Sequence, residues 1–370
     1  MTRLFAALTL LLALSSPLLA MEQAPPLRTM LGQMLLVGFR GAELPDDAPI
    51  LRDIRVHGLG GVILFDRDVQ LKTTGRNIQG AGQVKALTAR LQAAAATPLF
   101  IAVDQEGGRV RRLREEAGFP YSPSAKAMGR GTPDETRREG EKTGRLLADL
   151  GINLDFAPVV DVDVNPASPA IGALERSFSA DPESVAAHAL AFSRGLLSQG
   201  VLPCLKHFPG HGSARADSHL GLTDISETWS PAELIPYERL IPEGAGPLVM
   251  CGHLFLRRFD ADHPATLSPA VLTGLLRERL GFRGVIVSDD MQMRAVTEHY
   301  GLEEAVLRAV EAGVDILVFG NNLDYDPDIV PKAVDILVRG VDSGRLSRDR
   351  IAASFERIQA AKAMVGAPAE

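Results

Sequence analysis

Eight short apolar runs, rich in β-branched residues, punctuate the chain: MLLVGF at 34–39, GVILF at 61–65, PLFIAVD at 98–104, NLDFAPVVDV at 153–162, VLPCLKHF at 201–208, PLVMCGHLF at 247–255, GVIVSDD at 284–290 and VDILVFG at 314–320. Continuous apolarity, rather than alternation with polar residues, is the pattern of strands covered on both faces, as in parallel sheets. The stretches between them carry helix punctuation. Thr132, Pro133 and Glu135 form a capping-box pattern, and Ser230, Pro231 and Glu233 repeat it. Asp181 and Pro182 open a third helix, with Val185, Ala189, Phe192 and Leu196 on one stripe and Gly200 as its stop. Ser268 and Pro269 open another that ends near Gly281, and Ile351, Phe355 and Ile358 mark one face of a last helix.

Eight buried strands alternating with helices predict an α/β protein, a single (β/α)8 TIM barrel, a fold of about 250 residues that tolerates insertions. The rival is a doubly wound open sheet. Neither GxGxxG nor GxxxxGK[ST] follows a strand to favour its nucleotide-binding form. No low-complexity linker divides residues 21–370, which are read as one catalytic domain. The most polar connection, Arg67 to Gln83, is expected to form a loop over the barrel's top.

The first twenty residues break this pattern: Arg3 precedes an apolar run from Leu4 to Leu14, followed by SSPLLA. This is the layout of a secretory signal peptide, residues 1–20, cleaved after Ala20, although Leu18 is bulkier than the small residue usual at that point. The alternative, an uncleaved anchor, is disfavoured because a span needs about 20 apolar residues. No cysteine follows to take a lipid, and no later segment reads as transmembrane. Export to the periplasm or outside the cell, without stable membrane insertion once the leader is removed, is therefore expected. A formal charge of −7 gives no general attraction for nucleic acid, and 46% hydrophobic residues suffice for a large core. Cys204 and Cys251, each within an apolar run, read as buried free thiols rather than a disulfide or a metal site.

In a (β/α)8 barrel, chemistry sits at the C-terminal ends of the strands. The third run ends in VDQEGGRVRR, with Asp104 at the rim, Gly107 and Gly108 for a tight turn, then Arg109, Arg111 and Arg112, for which a solvated charge run is the bland alternative. The fourth leads to GALERSFS with Arg176, the sixth ends at His253, the seventh at Asp289 and Asp290, and the eighth in FGNN. Convergence of Asp104, Lys206, His207, His253 and Asp289 on one mouth carries weight, because buried without partners or purpose each would cost free energy.

The fifth run enters KHFPGHGSARADSH, Lys206 to His219. As a metal site it would use His207 and His211 in HxxxH spacing, with Asp217 and His219 completing the shell. Pro209, Gly210 and Gly212 oppose the helix that spacing needs, and the HExxH glutamate is absent. A phosphate cradle should open a helix, which SARADSHLGL does not. As a mobile catalytic loop, it would place Asp217 and His219 on the same side of an extended chain, the carboxylate fixing the tautomer of an imidazole acid/base. The bland alternative has Asp217 capping a turn and His219 as surface polarity.

VDQEGGRV, NLDFAPVVDVD, ERSFS, KHFPGHG with a following DSH, and GVIVSDDM occur in an order that resembles glycoside hydrolase family 3, and most its bacterial β-N-acetylglucosaminidase (β-hexosaminidase) branch. The resemblance spans nearly all of residues 21–370. It implies a retaining exo-β-N-acetylglucosaminidase needing no metal or cofactor, with Asp289 as nucleophile, His219 as acid/base and Asp217 as its orienting partner. It assigns sugar binding to Asp104, Arg112, Arg176, Lys206 and His207, with peptidoglycan fragments or chitin oligosaccharides as β-N-acetylglucosaminide substrates. Strand periodicity alone does not choose Asp289 over Asp290. Two departures stand out. Many relatives carry a second α/β domain that supplies the acid, whereas here little follows the eighth strand, and the cell-wall-recycling relatives lack a leader. The alternatives are a β-glucosidase or phosphorylase of the same family, a metal-dependent barrel hydrolase, or a non-catalytic cell-wall glycan-binding protein. The acceptor, the aglycone preference and the oligomeric state are left open.

Overall fold

The eight apolar runs become the eight staves of a closed parallel barrel: β1 (Leu35–Gly38), β2 (Gly61–Ile63), β3 (Phe100–Val103), β4 (Leu154–Asp155), β5 (Leu202–Phe208), β6 (Leu248–Cys251), β7 (Val285–Asp290) and β8 (Ile316–Phe319). Each pairs with its sequence neighbours, and β8 returns to β1 with Leu35 opposite Leu317, so the fold is a (β/α)8 barrel and the open-sheet alternative is excluded. The computed structural model describes residues 25–216, 221 and 223–366. The expected signal peptide lies outside these residues. Among them no helix is long and apolar enough to cross a membrane.

The staves are buried along almost their whole length, which is why their sequences do not alternate. β4 is the exception in length: the apolar run reaches Val162, but the ladder stops at Asp155. Pro158 has no N–H to give a ladder, and beyond it Val159 only bridges to Lys206. Closure between β1 and β8 depends on a missing side chain, since a Cβ on Gly38 would lie 1.9 Å from the carbonyl oxygen of Gly320.

The helix starts follow the local code. Thr132 caps Pro133–Asp149 with both halves of the box in place, and Asp181 accepts from the N–H groups of Glu183 and Ser184 to open Pro182–Leu197. Ser268 Oγ accepts from Val271 N ahead of Ala270–Arg279, which winds with π-helical pitch. The second expected capping box is corrected. Ser230 makes no side-chain cap, the segment Pro231–Leu234 is a single 3-10 turn, and the Glu233 carboxylate turns away to accept from Ser213 N. Cys204 and Cys251 are buried free thiols, as expected. The polar connection after β2 does sit over the mouth, where Arg67–Asp68 and Thr73–Thr74 form a small antiparallel hairpin.

Gly38→Ala is expected to lose on the order of 3 kcal/mol or fail to accumulate as folded protein, by forced overpacking at the seam. Gly82→Ala, inside the helix Ala81–Ala94 with nothing within 4 Å of the new Cβ, should gain up to about 1 kcal/mol. Chemical denaturation of the two variants checks both; a neutral Gly38→Ala would contradict the closure argument.

Candidate active site

The geometry begins one residue past β3. Asp104 leaves the strand and the chain reverses through Gly107 and Gly108 at φ 89° and 57°, where a Cβ would strike Pro123 O and the Ser124 side chain. The reversal brings residues 110–114 back over the mouth. It is pinned by Gln105, whose Oε1 accepts from Arg112 N and Leu113 N, each at 3.0 Å. Of the three arginines in the motif, only Arg112 enters the site, with Nη2 3.0 Å from Asp104 Oδ2. Arg109 is exposed, as the solvated reading has it, whereas Arg111 is largely buried, pairing with Glu115 and donating to the Gly108 carbonyl, so it holds the turn rather than facing solvent.

Lys206, inside β5, is buried between two carboxylates: its Nζ lies 2.8 Å from Asp104 Oδ1 and 2.7 Å from Glu106 Oε1. Glu106 in turn takes Arg176 as a fork, Nε to Oε2 at 2.7 Å and Nη2 to Oε1 at 2.8 Å. The same Nη2 lies 3.2 Å from His207 Nε2. A guanidinium only donates, so Nε2 accepts and the ring proton sits on Nδ1, which donates to Asp161 Oδ2 at 2.7 Å. Asp161 Oδ1 also accepts the backbone N–H groups of His207 and His211. The two imidazoles meet edge to face, 5.6 Å apart, and among the described residues no group of three or more His, Cys, Asp or Glu is arranged to hold a metal.

Burial alone would raise the Asp104 and Glu106 carboxyls, but Lys206 and Arg112 on the first, and Arg176 and Lys206 on the second, outweigh it and hold both below their ordinary values. Lys206 is the mirror case, its burial overcome by the two carboxylates so that its ammonium is favoured. Beneath them Asp155 has no cation of its own. Its Oδ1 accepts from Gln105 N, its Oδ2 has no hydrogen-bond partner among the described residues, and burial pushes the carboxyl up to about 8. His211 is pushed down to about 4, by burial and then by neighbouring His207, and stands as a neutral ring.

Asp104, Arg112, Arg176, Lys206, His207 and Asp289 line one cavity of about 330 Å³. Asp290 reaches it as well, but its Oδ1 accepts from Gln292 N at 3.0 Å and from Gly320 N at 2.9 Å, stitching the end of β7 to β8. His253 does not line it. Its ring is buried behind β7, with Nε2 donating to the Asp290 carbonyl at 3.0 Å and Nδ1 2.9 Å from Thr266 Oγ1. Asp217 and His219 lie outside the described residues. Among the described residues, Trp229 Nε1 donates to Pro209 O, Glu233 holds Ser213 N, and Thr223 pairs with Leu254 just beyond β6.

Four groups of the site were not singled out from sequence: Glu106, Asp161, Asp66 and Arg114. Glu106 had a usable signal, standing two residues after Asp104 and so on the same side of an extended strand end. Asp66 had none; its meaning comes from Arg114, 48 positions away, whose Nε sits 2.6 Å from Asp66 Oδ2.

A parallel (β/α)8 barrel with carboxylates, cations and imidazoles converging on a cavity at the C-terminal strand ends is an enzyme barrel. Residues 26–361 match the glycosyl hydrolase family 3 N terminal domain. The chain belongs to that family and is a glycoside hydrolase. It is 36% identical over 346 residues to beta-hexosaminidase LpqI of Mycobacterium tuberculosis, covering 90% of this chain and 82% of that protein. Among solved structures, a family 3 beta-N-acetylglucosaminidase from a Paenibacillus species aligns with TM-score 0.84 and 35% identity, over 92% of this chain and 63% of that one. A beta-N-acetylhexosaminidase from Beutenbergia cavernae aligns with TM-score 0.82 and 31% identity, over 92% and 99%.

Asp155→Asn replaces a neutral acid by a neutral amide and tests this charge assignment. With the folded carboxyl raised, the native state binds more protons than the unfolded chain between about pH 4 and 8, so wild-type stability falls as pH rises through that window. The variant lacks the effect. Its stability should gain on wild type by at most about 1.4 kcal/mol per pH unit, levelling off above pH 8. A gap that stays flat from pH 4 to 8 would mean Asp155 is ionised in the folded protein.

Proposed function

We propose that the protein is a retaining exo-β-N-acetylglucosaminidase that removes terminal β-linked N-acetylglucosamine from exported or extracellular glycans, with peptidoglycan fragments as first substrate and chitin oligosaccharides as second. The single observation that carries this reading is the shared cavity: Asp289 faces the same space as the lattice of Asp104, Arg112, Arg176, Lys206 and His207. That lattice offers carboxylate acceptors and guanidinium and ammonium donors in fixed positions, which suits the hydroxyl and amide groups of a sugar ring. The named activities of LpqI and of the Paenibacillus and Beutenbergia enzymes point to the N-acetylated sugar.

In this mechanism Asp289 attacks the anomeric carbon while His219 gives a proton to the departing glycosidic oxygen, leaving a glycosyl ester on Asp289. His219 then takes a proton from water, which attacks the same carbon and releases the sugar with retained configuration. Asp217 holds the imidazole tautomer. Asp289 Oδ1 accepts one backbone N–H, from Asp290 itself, whereas Asp290 Oδ1 accepts two that join β7 to β8, and this difference favours Asp289 as the attacking group. Export rests on the leader-like residues 1–20 and is checked by the N-terminus of protein recovered from the periplasm or medium.

Purified protein should release an aryl group from the β-N-acetylglucosaminide far faster than from the β-glucoside, with chelator present throughout. Turnover that disappears with chelator and returns with zinc would overturn the mechanism. Asp289→Ala is expected to lose more than about 1,000-fold in kcat/KM. His219→Ala should lose about 100-fold or more on a poor leaving group and distinctly less on an acidic phenol that departs without a proton. Equal losses on both leaving groups would remove His219 from the acid role.

A further inference from the structure

His253 ends one of the eight apolar runs, yet it lines no part of the cavity and the reaction as described gives it no task. A fully buried imidazole costs free energy unless its ring nitrogens are engaged, so its partners say what it is for. Nε2 donates to the carbonyl oxygen of Asp290 at 3.0 Å, reaching from the end of β6 to the end of β7. Nδ1 faces Thr266 Oγ1 at 2.9 Å, and that hydroxyl is seated against the carbonyls of Gly252 at 3.0 Å and Cys251 at 3.3 Å. Thr266 stands in the 3-10 turn Ala265–Leu267 and is itself fully buried, so the ring is held on both edges.

The bond lands where β7 changes register. Against β6 the strand runs in step, with Val285 opposite Leu248 and Ser288 opposite Cys251. Against β8 it advances three residues, Val287 to Asp290, while its neighbour advances two, Ile316 to Val318. An extra residue of this kind bends a strand and re-aims a side chain, and here it falls at Ser288 and Asp289. Ser288 Oγ fills the interrupted ladder by accepting from Val318 N at 3.0 Å. The backbone pairing with β6 ends at the same point, and His253, two residues beyond Cys251, ties down Asp290, two residues beyond Ser288, with its side chain instead. Asp290 is thereby fixed at its carbonyl as well as at its carboxylate, and its N–H donates to Asp289 Oδ1 at 2.8 Å.

We propose that His253 is a positioning residue for the nucleophile: by pinning Asp290 from β6 it fixes the bulge that turns the Asp289 carboxylate toward the anomeric carbon. The proposal rests on the glycosidase reading with Asp289 as the attacking group and adds what aims that group. His253 stands behind β7 and away from the cavity, so its loss acts on the attack and leaves the sugar-gripping lattice of β3 and β5 in place.

The test compares His253→Leu, which keeps a buried side chain without the N–H, with His253→Gln, whose amide N–H can take the place of Nε2. In the leucine variant kcat/KM on an aryl β-N-acetylglucosaminide should fall about 30-fold, the scale of a misplaced reacting group. The loss should be equal for good and poor leaving groups, because the proton donor is untouched. The Ki of a thio-linked N-acetylglucosaminide, which occupies the sugar lattice without being attacked, should stay within about 2-fold of wild type. His253→Gln should return kcat/KM to within about 5-fold of wild type. Thr266→Val, which removes the hydroxyl behind the ring, should lose about 3-fold in the same pattern and decides the question if His253→Leu does not fold. A ring that only fills space would move stability alone. An unchanged kcat/KM in His253→Leu, or in Thr266→Val where the leucine variant does not fold, would therefore overturn the positioning role, as would matching losses in kcat/KM and inhibitor affinity or a glutamine variant no better than leucine. Wild-type failure on the aryl glycoside would instead overturn the glycosidase reading, and the role of His253 with it.

Discussion

Lys206 is buried in a barrel stave only because Asp104 and Glu106 meet it at 2.8 and 2.7 Å, and the rest of the site is arranged around that contact. Each carboxylate recruits a further cation, Arg112 on Asp104 and Arg176 on Glu106. Arg176 then fixes the tautomer of His207 against Asp161. Two carboxylates, Asp104 and Glu106, thus meet three cations, Lys206, Arg112 and Arg176, with Asp155 kept as a neutral acid. Removing one partner of such a buried pair leaves an uncompensated charge worth about 3–5 kcal/mol, so the lattice is rigid because its members cannot be parted cheaply.

That rigidity links β3, the loop after β4, and β5 at the mouth, and it gives a polyhydroxylated ligand a set of donors and acceptors that need no reorganisation on binding. Asp289 comes to the same cavity from β7, on the side opposite in strand order. Its neighbour Asp290 is used to join β7 to β8 through two backbone N–H groups. Two adjacent aspartates at one strand end therefore have different surroundings, and the difference comes from the barrel seam rather than from the strand itself.

The barrel was legible because double-sided burial writes continuous apolar runs, and the polar residues that end those runs mark the mouth directly. Asp104, Lys206, His207 and Asp289 were found this way, His253 was wrongly placed there by the same reasoning, and Arg112 was chosen among three arginines only through the family resemblance until the fold of the turn after Gly107 and Gly108 brought it to Asp104. Glu106 and Asp161 stayed hidden because a buried acid looks like any other acid until its partner, Arg176 70 residues away or His207 46 residues away, is brought alongside. Glu233 misled for a related reason. The spacing Ser-Pro-x-Glu fits a capping box, but the backbone N–H of Ser213, which local sequence cannot see, claims the carboxylate instead. The length of β4 was overread because Pro158 interrupts pairing inside an otherwise strand-like run.

The central claim is that Asp289 becomes covalently attached to the sugar. The most direct measurement is peptide mass mapping after quenching the enzyme with a fluorinated N-acetylglucosaminide whose glycosyl ester hydrolyses slowly. A sugar-sized mass increase on the β7 peptide, localised to Asp289 by fragmentation, is the result expected. An adduct on Asp290, or rapid turnover of the natural glycosidic bond with inverted anomeric configuration, would contradict the account.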